Sequence, residues 1–128
     1  MQRVVVLTRD RFAPSVARAA LSEFDRALPG RQGDAKLVVS ELVTDRVQHR
    51  HAASNEPIEL SIELSSGSLH LEVRDPVKED KCGGAGPAEQ PAALVGLGLA
   101  IVSALADAWG VRRERSCVWA RFDIQRPT

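Results

Sequence analysis

The stretch "LVVSELVTDRVQHR", residues 37–50, decides the fold. Read at helical spacing, Ala35, Val38, Val39, Leu42, Val43 and Val47 form one apolar stripe. Glu41, Asp45 and His49 fall roughly opposite, four residues apart, so they stack one turn above another. The same window predicts a helix opening after Gly33 with Asp34 as its N-cap. Like charges at this spacing cost up to about 0.5 kcal/mol. Something must therefore relieve Glu41 beside Asp45: a metal, a nucleotide-borne cation, an arginine, or water alone. The three side chains span about 12 Å along a helix, too far for one ion to bind all of them. His49 also suits a plain structural role, pairing with Asp45 or closing the helix end.

Outward from that helix the pattern is regular. "RVVVLTR", from Arg3 to Arg9, is a β-branched run and reads as a first strand. Val16, Ala19, Ala20, Phe24 and Leu28 have helical spacing; Pro14 stands near the start of this helix and Pro29-Gly30 at its stop. Ile58, Leu60, Ile62 and Leu64 alternate with polar residues, as do Leu69, Leu71 and Val73, and "SSGS" between them supplies a hairpin turn. Asp75 ends the second of these strands, either as a turn residue or as a site residue. Residues 76–95 hold glycines and prolines without a period, which predicts a functional lid or a structureless loop. A third helix then starts near Gly96 or Gly98, with Leu99, Val102, Leu105 and Ala106 on its apolar side. "WGVRRE" and "CVWARFDI" read as a closing strand pair in which Val118, Ala120 and Phe122 alternate, with Trp109 and Trp119 expected in the core. The order β-α-α-β-β-lid-α-β-β implies a single domain over 1–128. It is a two-layer α/β sandwich with a mixed, mostly antiparallel sheet covered on one face by three helices.

The 128 residues are 44% hydrophobic and 27% charged, within the range of an ordinary globular chain. Lys plus Arg and Asp plus Glu are both 17, so no global field recruits nucleic acid or an anionic membrane. The "VVVL" run is too short for a membrane span or a signal core. Two cysteines, Cys82 and Cys117, lack the spacing of a zinc ribbon or a secreted disulfide scaffold and suit a reducing cytoplasm. No serine lies in a nucleophile elbow, so a serine hydrolase is unsupported. Glycines opening a helix straight after a long loop let a ligand approach backbone N–H groups, and the positive helix end favours phosphate.

On these residues a family resemblance becomes visible. "ELVTDRVQH" resembles the N-box of the GHKL superfamily of ATPases and kinases, and is most similar to the small bacterial anti-sigma-factor serine/threonine kinases. "GLGLAIVSALADAWGV" resembles that family's second glycine box, and "CVWARF" its last strand. The resemblance implies that the chain binds ATP with Mg²⁺ and transfers the γ-phosphate to a serine of a partner protein. It implies Glu41 as general base and Asp45 at the metal-binding position. Asp75 would hold the adenine amino group, and Gly96, Gly98 and Leu99 would line the phosphates. His49 matches a histidine frequent in that branch. The implied partners are a sigma factor and an anti-anti-sigma protein, with a homodimer as the usual assembly. Four features depart from the pattern. Asp45 stands where the family has asparagine, "DPVKEDK" after Asp75 lacks the usual glycines, Cys117 replaces a threonine that supports the adenine-binding aspartate, and Leu94 stands where histidine kinases have their first glycine. These departures motivate a competing expectation, a nucleotide-impaired pseudokinase that works as a protein-interaction module in transcription regulation.

Overall fold

A computed structural model describes residues 1–48, 56–74, 97–112 and 117–124. Strand β1 (Gln2–Leu7) leads into helix α1 (Ala13–Leu21), which continues as a 3-10 turn (Ser22–Ala27). Helix α2 (Gln32–Gln48) follows, then strands β2 (Ile58–Ser65) and β3 (Ser68–Arg74). Helix α3 (Leu97–Leu105) and strands β4 (Ala108–Arg112) and β5 (Cys117–Asp123) are the remaining elements among the described residues. The predicted order of strands and helices is the observed one among the described residues, and the expected lid over 76–95 lies outside them. The sheet runs β1-β2-β3-β5-β4, and every neighbouring pair is antiparallel, so the expected mixture of directions is absent among the described strands.

The alternation in the strands sets the two faces of the sheet. Ile58, Leu60 and Ile62 of β2, Leu69, Leu71 and Val73 of β3, and Val118, Ala120 and Phe122 of β5 are all fully buried against the helices. Ser65 pairs with Ser68 across a two-residue turn in which Gly67 adopts φ +91°, a conformation that a residue with a Cβ resists. Helix α2 lies centrally, packed against α1 on one side and α3 on the other, with β2, β3 and β5 beneath it. Its stripe Ala35, Val38, Val39, Leu42 and Val43 is buried as the spacing predicts.

Several local expectations need correction. The first helical segment buries Ala13, Ala17, Leu21, Phe24 and Leu28, whereas Val16 is 47% exposed and Ala19 faces out. Phe24 and Leu28 are buried as expected, and Ala13, Ala17 and Leu21 precede them at spacings of four, four and three, the ordinary helical period, so the inward face passes one residue beyond Val16 and Ala20. Asp34 is not an N-cap: α2 already begins at Gln32, so this carboxylate sits within the first turn, where the helix dipole still favours it. Trp109 is core, but Trp119 lies on the face of the sheet turned away from the helices, half-buried and stacked on His70 with ring centroids 5.5 Å apart. That face also carries Glu59, Glu72, Arg74 and Arg121, with Arg74 paired to Glu59 at 2.8 Å and His70 Nε2 at 3.4 Å from Glu72.

One arginine closes the end of the molecule where α2 begins. Arg31 Nη1 donates to Asp107 Oδ2 at 2.8 Å and to the Asp123 carbonyl at 2.9 Å, and Nη2 donates to the Leu105 carbonyl at 3.2 Å. Its guanidinium carbon lies 4.8 Å from the centroid of Phe122. The Asp123 N–H donates back to Asp107 Oδ2 at 2.6 Å. Arg31 thus ties the start of α2 to the end of α3, the entry to β4 and the end of β5, which makes α2 and α3 antiparallel neighbours. A cleft of about 470 Å³ at this end is lined by Leu28, Pro29, Arg31, Asp107, Asp123 and Ile124.

Two outcomes follow for stability. Leu42→Ala, which removes a fully buried side chain from α2, should cost about 2–5 kcal/mol in urea unfolding. Leu37→Ala, at a position 44% exposed on the same helix, should stay within about 0.5 kcal/mol. The Arg31 hydrogen bond, then the Asp123 N–H, holds the Asp107 carboxyl below its ordinary value. A depressed folded-state value stabilises above the unfolded value of about 4 and is lost as pH falls through the folded one. Asp107→Asn should therefore lower the melting temperature at pH 7 by an amount equivalent to under about 1 kcal/mol, since the pair is partly exposed. The gap between variant and natural chain should close below about pH 4.

Candidate functional site

The acidic flank of α2 lies at the end of the sheet away from Arg31. Arg9, just past β1, donates from Nη1 to the Arg46 carbonyl and from Nε to the Glu56 carbonyl at 3.1 Å, which fixes the last turn of α2 above the start of β2. Glu59 near that start pairs with Arg74, the last residue of β3. The C-terminal half of α2 and the C-terminal end of β3 therefore lie at the same end of the molecule. Helix α3 ends at Leu105 beside Arg31, so its N-terminus points to this same end, about 13 Å along its nine-residue length. Three elements thus converge: two carboxylates on α2, the strand end that precedes Asp75, and the opening turn of α3. The first N–H groups of α3 have no partner within the helix, which makes this turn a candidate anion contact. Arg18 Nη1 donates to Ser40 Oγ at 2.7 Å and holds α2 to α1 directly behind Glu41.

Each predicted site residue has a definite standing. Glu41 is half-buried, and among the described residues its carboxylate makes no hydrogen bond or ion pair. Asp45 has a side chain 26% exposed, and Oδ2 accepts from Arg46 Nη2 at 2.9 Å and from Nε at 3.2 Å. Gly98 lies in the first turn of α3. Leu99 is buried in the core, so at this position the backbone rather than the side chain is available to a ligand. Cys117 is fully buried opposite Arg74 in the ladder and is disulfide-bonded, so it presents no thiol to a neighbouring aspartate. That bond departs from the expectation of a reducing compartment. His49, Asp75, Gly96, Cys82 and the 76–95 segment lie outside the described residues.

Arg46 is the residue that the sequence reading missed. It is only 3% exposed and continues the buried stripe one turn after Leu42. A charged residue at a core-facing helix position is the signal that would have singled it out, because a guanidinium is buried only with a partner.

The donors present suit a magnesium ion that arrives with a nucleotide. Asp45 Oδ1 is a hard oxygen left unused by Arg46, and magnesium typically needs only one or two protein carboxylates beside phosphates and water. Among the described residues no group of three His, Cys, Asp or Glu side chains could hold a metal by itself.

Comparison with known proteins bears on the family and the fold. The family model described as histidine kinase-like ATPase domain matches residues 5–122. A solved structure, of the RsbU and RsbW domains of Rv1364c from Mycobacterium tuberculosis, superposes with a TM-score of 0.73 at 19% identity. It covers 99% of this chain but 33% of that one, so the chain spans about a third of that neighbour's length, and the likeness is one of fold. No match is found among curated proteins. No helix of the described residues is long and apolar enough to cross a membrane. From the matched span and the shared architecture, the chain belongs to the histidine kinase-like ATPase domain family.

Proposed function

We propose that the chain is a regulatory ATP-binding domain of the anti-sigma-factor kinase type, which transfers the γ-phosphate of ATP to a serine of a partner protein. The observation that carries this reading is the meeting of Glu41, Asp45, the end of β3 and the N-terminus of α3 at one end of the sheet. Glu41 is the general base. Its carboxylate, unpaired among the described residues, is free to accept the proton of an incoming serine hydroxyl. Backbone N–H groups at the start of α3, with Gly96 and Gly98, would steady the phosphates. Asp75 would accept a hydrogen bond from the adenine amino group. Asp45 Oδ1 would hold Mg²⁺, which supplies charge neutralisation to the phosphates when bound. The partners are a sigma factor and an anti-anti-sigma protein, with a homodimer as the assembly; they follow from the family resemblance alone.

A second reading has its own support. Asp45 in place of asparagine and the disulfide at Cys117 both depart from an active site, and favour a pseudokinase that binds its partner without phosphotransfer.

Glu41→Gln separates the two. Under the kinase reading, radiolabelled γ-phosphate transfer to an anti-anti-sigma protein falls by about 10²-fold or more, while ATP affinity stays within about threefold. Undiminished transfer in the variant would remove Glu41 as the base. Partner binding that persists in a natural chain with no transfer at all would support the pseudokinase.

A further inference from the structure

Asp45 and Arg46 differ in kind from the rest of the acidic flank, because one carboxylate oxygen is engaged twice and the other is left open. Both Arg46 contacts, from Nε at 3.2 Å and Nη2 at 2.9 Å, go to Oδ2. Oδ1 accepts no hydrogen bond among the described residues. Arg46 is 3% exposed, so its charge is held out of water and depends on this carboxylate for compensation.

We propose that Arg46 converts Asp45 into the equivalent of a neutral asparagine: the pair cancels its charge, ties one oxygen down and presents the other as an uncharged-type donor to a nucleotide-borne cation. The charge count supports this. Glu41 and Asp45 each carry −1 and Arg46 +1, so the flank sums to −1, the same total as a glutamate beside an asparagine. A polyphosphate approaching the flank then meets one net negative charge rather than two. Arg46 is a positioning residue; it acts through Asp45 and touches neither metal nor nucleotide in this account. The ligand half of the inference rests on the nucleotide reading given above, whereas the pairing half does not.

The two residues should behave as a unit. Arg46→Met keeps the buried aliphatic stem but leaves Asp45 charged, and Asp45→Asn leaves a guanidinium buried without its counter-ion. The full chain is compared with both single variants and with the double variant in two measurements. In thermal unfolding without nucleotide, each single variant melts lower, Asp45→Asn the more so, and the double variant melts above Asp45→Asn. Losses that simply add in the double variant overturn the pairing. In calorimetric titration with ATP, the ratio of affinity in Mg²⁺ to affinity in EDTA rises about tenfold or more in Arg46→Met, because the uncompensated carboxylate repels free ATP and attracts the cation. That ratio returns to the natural value, within about threefold, in the double variant. A lowered melting temperature with an unchanged ratio would make Arg46 merely structural and overturn the ligand half. Absence of ATP binding in every chain and buffer removes the nucleotide reading and the ligand half together, while the pairing half still stands or falls by the thermal cycle.

Discussion

The Arg31 guanidinium is the constraint from which the site's geometry follows. Its three hydrogen bonds reach α3, β4 and β5, and it sits over the Phe122 ring. Because the start of α2 and the end of α3 meet at this one side chain, the two helices must run in opposite directions. The opposite end of the sheet then receives the last turns of α2 and the first turn of α3. The carboxylate-bearing half of α2 and the opening turn of α3 are thereby placed at the same end of the molecule, opposite Arg31. Arg9 completes the arrangement by holding the last turn of α2 over the start of β2.

Much of this was legible in the sequence, for identifiable reasons. Strict alternation in "IELSIEL" and "LHLEV" leaves one register that buries a face, and that register is the one found. The α2 stripe was equally plain, since five of its apolar residues are fully buried. The first helix was misread because its sequence offers small residues on several sides. Ala17 and Ala20 satisfy the spacing as well as Ala19 does, and the face that packs inward is the one that carries Ala13, Ala17 and Leu21. Trp119 was misplaced because an aromatic residue in a strand suggests the core. Its neighbours Val118 and Ala120 already occupy the inward positions, and the pleat sends it outward. Arg31 was invisible because its partners lie more than seventy residues away in the chain.

The acidic flank shows how a local question can have a local answer. A helix with Glu41 one turn from Asp45 asks for a counter-charge, and a metal, a nucleotide-borne cation, an arginine, His49 or water were all reasonable sources, with no particular arginine singled out. Arg46, the residue immediately after Asp45, meets the need by folding back from the buried side of the helix. Helical periodicity directs attention three and four residues away, so an adjacent residue is easily passed over. A long side chain can nonetheless reach across the 100° that separates neighbours, and burial on the core side fixes it there.

The outward placement of Trp119 has a practical consequence. The chain has two tryptophans and no tyrosine, so its fluorescence comes from two defined places. Trp109 sits in the core near the helical layer, while Trp119 stacks on His70 on the side of the sheet turned away from the helices. Loss of packing in the helical layer and a change on the far side of the sheet therefore perturb different emitters. With either indole replaced by phenylalanine, a single emission spectrum distinguishes an event on one side of the sheet from an event on the other.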